Sequence, residues 1–128
     1  MISTQRKGDI AKAKAISTFT SYGFDVSLPI TESAAYDIIV DVNNVLYRVQ
    51  VKYSSKKEVD LRRIHSNSKG YVIKKYEEAS YDWLYVFRLD GKEFLITDVR
   101  HNQSTITPQN KHSIDSYFKE RCPSGLRE

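Results

Sequence analysis

The sequence holds one cysteine, Cys122, and three prolines, at positions 29, 108 and 123. A lone thiol makes neither an internal disulfide nor a cysteine metal cluster, so a reducing compartment, the cytoplasm, is expected. No stretch approaches the roughly 18 apolar residues that mark a membrane span, so no membrane partner is expected. The N-terminal MISTQRKGDIAKAKAIS is too polar for a secretory signal. Internal repeats, low-complexity tracts and glycine-rich phosphate loops are missing too. His65, His101 and His112 are scattered, without metal-ligand spacing. No Ser-His-Asp arrangement is visible. These absences set aside disulfide scaffolds, zinc chemistry and triad hydrolysis.

What is there fits one domain spanning residues 1–128, too short for two cores. The net charge of +4 is a mild lean towards polyanions. Its distribution says more. Arg48, Lys52, Lys56, Lys57, Arg62, Arg63, Lys69, Lys74 and Lys75 crowd one segment against only Glu58 and Asp60, with Tyr47, Tyr53 and Tyr71 interleaved. Arg48 and the seven cations beyond Lys52 are candidate nucleic-acid contacts, holding phosphates without reading sequence.

Along the chain, residues 8–22 read as a helix with Ile10, Ala13, Ile16 and Phe19 on its inner face and Gly23 as its C-terminal stop. Residues 24–28 form a short strand ended by Pro29, and 31–35 a loop. Residues 36–42 and 45–53 are β-branched or alternating, joined by Asn43-Asn44, and read as a hairpin with a two-residue loop. Residues 54–70 read as a long basic loop, 71–74 as a short strand and 75–80 as a helical turn. Residues 83–87 read as a central strand, and 93–96 as its hairpin partner across Asp90-Gly91. Residues 113–121 read as a closing helix with Ile114, Tyr117 and Phe118 inside. The expected class is α/β, a mixed central sheet flanked by helices.

The hairpin reading fixes a constellation. With Asn43-Asn44 as the whole loop, Val42 faces Val45, and counting outward sets Asp37 opposite Gln50. Opposed residues point to one side of a sheet, and side chains alternate, so Lys52 joins them. Ile38, Val40, Val42, Val45, Tyr47, Val49 and Val51 then form the core face. A carboxylate, an amide oxygen and the Val51 carbonyl are hard donors of the kind Mg²⁺ takes. Lys52 adds a cation to offset phosphate charge.

On these residues the sequence resembles a known family. Lys7-Gly8-Asp9-Ile10-Ala11, Gly23-Phe24 with Val26, Pro29, Tyr36-Asp37 and Val49-Gln50-Val51-Lys52 look like PD-(D/E)XK endonucleases related to bacterial group I intron homing enzymes. They are more distantly like archaeal Holliday junction resolvases. The resemblance implies a restriction-endonuclease-like core, Mg²⁺ or Mn²⁺ as cofactor, and hydrolysis of DNA phosphodiesters. It implies that Asp37 binds metal, that Gln50 stands where most relatives carry an acid, and that Lys52 is the active-site lysine. The sequence departs from the pattern at Lys12, where an acid is expected on the first helix. Asp9 lies three residues earlier, and two readings are open for it: a substitute metal ligand, or a favourable acid near a helix N-terminus. An inactive DNA-binding module on the same scaffold is the alternative function that Lys12 favours. Cutting both strands of a duplex needs more than one copy of so small a domain, so a homodimer or higher oligomer is expected.

Overall fold

The computed structural model describes residues 2–61, 63–67, 70–74, 80–99 and 103–121, with backbone alone at 63–67, 70–74 and 119–121. The chain opens with helix α1 (Thr4–Ser21), capped by Ser3, whose hydroxyl accepts from the Arg6 amide at 3.1 Å. That cap starts the helix four residues before the sequence reading had it. Gly23, with φ of 91°, turns the chain out at the other end. The buried stripe is Ala11, Ala15 and Phe19, followed by Tyr22. Ala13 is exposed, contrary to the expected inner face. The small side chains of Ala11 and Ala15 let the helix lie close on the sheet, while Ile16 packs at its margin.

The strands that follow are β1 (Asp25–Ser27), β2 (Ile38–Val42), β3 (Val45–Ser54), β4 (Val59–Asp60), β5 (Arg63–Asn67), β6 (Gly70–Lys74), β7 (Trp83–Arg88), β8 (Glu93–Ile96) and β9 (Thr105–Ile106). Helix α2 (Ile114–Arg121) comes last among the described elements. Five strands form the main sheet in the order β1-β2-β3-β7-β8, with β3 and β7 parallel and the other neighbours antiparallel. It is a mixed sheet with flanking helices, as expected from the sequence. Parallel neighbours need a long crossover, and residues 55–82 supply it. The expected loop over 54–70 is therefore corrected. β3 runs on to Ser54, β4 pairs with β9, and β5 pairs with β6. Polar strands of this kind are specified by their partners more than by an apolar pattern. The turn expected over 75–80 lies outside the described residues except for Ser80. No described helix is long and apolar enough to cross a membrane.

Both faces of the sheet are covered. On one, α1 and α2 bury Ile38, Val40, Val49, Trp83 and Tyr85 together with Phe19 and Phe118. Val45, assigned to this face in sequence, stands half-exposed at the hairpin tip. On the other face, Leu84, Val86, Phe94 and Ile96 pack with Val59, Leu61 and Tyr81. Buried on both sides, Trp83–Arg88 is the near-continuous apolar run of an interior strand.

One polar group lies in the first layer. The fully buried Tyr85 hydroxyl donates to Glu93 Oε1 at 2.5 Å, and the Thr18 hydroxyl donates to the same oxygen. Burial first, and the Glu93 carboxylate second, push the Tyr85 phenol well above its ordinary range. The folded protein thus holds this proton after the unfolded chain has lost it. The contribution is complete below about pH 10 and falls by about 1.4 kcal/mol per pH unit above it. Urea titrations across pH 8 to 11 are expected to show that loss, and Tyr85→Phe to flatten it. An equal slope in the variant would assign the loss elsewhere.

Candidate active site

Asn43 and Asn44 both adopt left-handed conformations, with φ of 53° and 70°. That is the two-residue turn whose twist suits a hairpin. The register runs from Val42↔Val45 to Ile38↔Val49. The Asp37 amide then donates to the Val49 carbonyl at 2.9 Å. In a regular continuation Asp37 would oppose Gln50 with its amide turned away from β3, so this bond marks an irregular end of the ladder, where Asp37 sits beside Val49 and Gln50.

The side chains meet. Asp37 Oδ2 accepts from Gln50 Nε2 at 3.1 Å and from the Val51 amide at 2.8 Å. Oδ1 takes no hydrogen bond from the described residues. Alternation fixes the direction of the Val51 carbonyl. The Arg48 and Ser54 carbonyls accept from the Asp82 and Leu89 amides, towards β7. Val49 and Val51, out of phase with them, turn the other way. The Val51 carbonyl thus points past the start of β2, beside Asp37. Rotation of the Gln50 amide presents its oxygen to the same space. Asp37 Oδ1, Gln50 Oε1 and the Val51 carbonyl make a set of hard oxygen donors with one carboxylate, which suits a small divalent cation that keeps several waters. Among the described residues no group of three His, Cys, Asp or Glu gathers to hold a metal.

Lys52 is half-buried and lies in register with Val86, as Gln50 does with Leu84. Both partners are fully buried, so the polar row runs along an apolar wall. Asp9 is exposed on α1 and Lys12 is half-buried one turn on. Glu32 is exposed.

The expected DNA contacts divide. Lys56 and Lys57 are exposed in the bend after β3. Arg48 has a partner within the fold. Its Nε and Nη2 donate to the two oxygens of Asp82, each at 3.2 Å, and its amide donates to Asp82 Oδ2 at 2.8 Å. The hydrogen bonds to Asp82 raise its pKa further above the ordinary arginine value, so it is charged throughout. This pair fastens the entry of β7 to β3. Arg63 and Lys74 are register partners across β5 and β6. Arg62, Lys69 and Lys75 lie outside the described residues. Sequence reasoning missed Ser54 and Arg88, which end β3 and β7 side by side on the site face. The alternation Gln50, Lys52, Ser54 was the available signal for the first. Nothing local announces the second.

The family model described as PD-(D/E)XK endonuclease matches residues 2–115. A solved structure, that of the bacterial homing endonuclease I-Ssp6803I, superposes with a TM-score of 0.70 at 28% identity, covering 88% of this chain and 83% of that one. No curated protein matches. With the hairpin, the mixed sheet and helix α1 all inside the matched region, the chain belongs to the PD-(D/E)XK endonuclease family.

Proposed function

We propose that this protein is a divalent-metal-dependent DNA endonuclease, with Mg²⁺ or Mn²⁺ held by Asp37, Gln50 and the Val51 carbonyl. Asp9 is the candidate second acid. The observation that carries the reading is the Asp37–Gln50 pair at the open end of the hairpin, with Lys52 two residues on along one face. A bound cation supplies Lewis acidity there, lowering the pKa of a water and offsetting phosphate charge. The chain's own residues do the rest. The Val51 amide and the Gln50 amide group orient the Asp37 carboxylate. Lys52 sets a positive charge beside the phosphate, where charge builds on its oxygens. The wall of Leu84 and Val86 keeps water from screening that charge.

The likeness to a homing endonuclease favours site-specific cutting, and junction resolution is the other mode the sequence resemblance suggests. Each chain carries one such site, so severing a duplex calls for a homodimer or a higher oligomer. Lys52→Ala is expected to slow cleavage by about 10²–10³-fold, the usual cost of losing a group aimed at developing charge. Circular dichroism of the variant should match wild type. Metal-dependent cleavage at the wild-type rate by Lys52→Ala would sink the assignment.

Lys12 favours a second reading, a DNA-binding module of little catalytic power. It predicts salt-sensitive DNA binding with no cleavage in any divalent metal.

A further inference from the structure

The site row does not stop at Lys52. Gln50, Lys52 and Ser54 share a face by alternation, and Leu84, Val86 and Arg88 run beside them in parallel register. Past Lys52 the row opens into a cleft of about 310 Å³, lined by Ser54, Ser55, Lys56, Lys57, Arg88 and Asp90.

This cleft is held in shape. Ser54 is 7% exposed, and its hydroxyl donates to the Lys56 carbonyl at 2.5 Å and accepts from the Lys56 amide at 3.2 Å. The Leu89 amide donates to the Ser54 carbonyl at 3.1 Å. Arg88 Nη2 donates to the Lys57 carbonyl at 3.1 Å, tying the bend to the sheet. These bonds consume the serine hydroxyl and leave the charges over. Arg88 lies 4.9 Å above the Phe94 ring, and its buried Nε has no partner. Among the described residues the ion pair is Arg48–Asp82, and no carboxylate reaches Lys56, Lys57 or Arg88. The cleft's own acid, Asp90, accepts from the Lys92 amide.

Three cations thus line one cleft against a single acid, Asp90, and one of the three, Arg88, is partly withdrawn from water. The excess of positive charge and the buried, unpartnered Arg88 Nε favour entry of an anion. The position names the anion. Ser54 lies two residues beyond Lys52, about 7 Å along a strand, and successive phosphates of a DNA strand advance about 3.4 Å along its axis. We propose that the cleft is a phosphate subsite, in which Arg88, Lys56 and Lys57 hold a DNA backbone phosphate one or two nucleotides from the phosphate at Lys52. This rests on the nuclease reading of the neighbouring site.

The test separates binding from cleavage. Affinity for a short random-sequence duplex is measured in EDTA over a range of salt concentrations, for wild type, a Lys56→Ala/Lys57→Ala double variant and Arg88→Met. The methionine keeps an apolar stem over Phe94, and melting curves report folding. Loss of one phosphate contact is expected to lower the slope of log affinity against log salt by about 0.9 in each variant. A wild-type slope in the lysine variant, or in a folded Arg88→Met, would overturn the subsite. If Arg88→Met does not fold, the lysine variant decides. Plasmid cleavage in Mg²⁺ or Mn²⁺ is scored separately. An inert wild type that still shows these slope changes would refute the nuclease reading and leave the phosphate cleft standing.

Discussion

Asp37→Asn is expected to abolish DNA cleavage, with a loss of about 10³-fold or more, while leaving the fold intact. The two halves of that result have separate causes. Asparagine keeps a side-chain oxygen where Oδ2 accepts from the Gln50 amide group and the Val51 amide, so the hairpin end keeps its hydrogen bonds. What goes is the charge. Among the described residues no group of three His, Cys, Asp or Glu gathers there, so Asp37 is the charged member of the set with Gln50 and Val51. A hard cation is held chiefly by anionic oxygen, and in the asparagine variant the donors left on the hairpin, Gln50 and the Val51 carbonyl, are neutral. Removing one neutral group aimed at developing charge costs about 10²–10³-fold, and losing the one carboxylate should exceed that. Single-turnover cleavage at saturating DNA, with a melting curve of the same sample, measures both halves. A variant that cuts at near the wild-type rate would remove Asp37 from the site.

The largest expected effect on stability lies on the opposite face. Phe19 is fully buried on α1. Its ring centroid lies 6.4 Å from Trp83, 6.1 Å from Tyr85 and 6.0 Å from Phe118. It therefore joins both helices to the sheet's interior strand. Phe19→Ala removes these contacts and leaves a cavity that rigid neighbours fill poorly, at an expected cost of about 3–5 kcal/mol. A domain's whole stability is about 5–15 kcal/mol, so the variant should be close to unfolding at body temperature. Urea denaturation measures the change. Ile30→Ala, at a side chain 99% exposed, is the control and should stay within about 0.5 kcal/mol. A loss below about 1 kcal/mol for Phe19→Ala would mean that the helical layer is not anchored there.

The hairpin was legible in the sequence because two local signals agreed. A β-branched run before Asn43-Asn44 and period-two alternation after it fit one register, and a slip by one residue would turn Asp37 and Lys52 into the core. The start of α1 was misplaced because Ser3 caps it from outside the apolar pattern, and Ala13 was misassigned because alanine carries little periodicity. The segment after Ser54 was read as loop because β4 is two residues long and finds its partner β9 far along the chain, and β5 is polar. The parallel pairing of β3 with β7 was the least visible feature. It joins residues across a 28-residue crossover, 55–82, so nothing local records it. Arg48 shows the consequence. In sequence it belongs to a basic cluster, whereas in the fold Asp82, brought alongside by that pairing, engages it. Arg88 shows the converse, an isolated arginine that the same pairing sets at the end of the site row.

Whether Asp37, Gln50 and Val51 bind a metal is the decisive question. Crystals of the wild-type protein soaked in Mn²⁺ answer this without knowledge of the DNA target. The expected result is an anomalous peak within coordination distance of Asp37 Oδ1 and the Val51 carbonyl oxygen, absent from crystals of Asp37→Asn. An Mn²⁺ peak bound elsewhere, with Asp37 still held only by Gln50 and Val51, would contradict it.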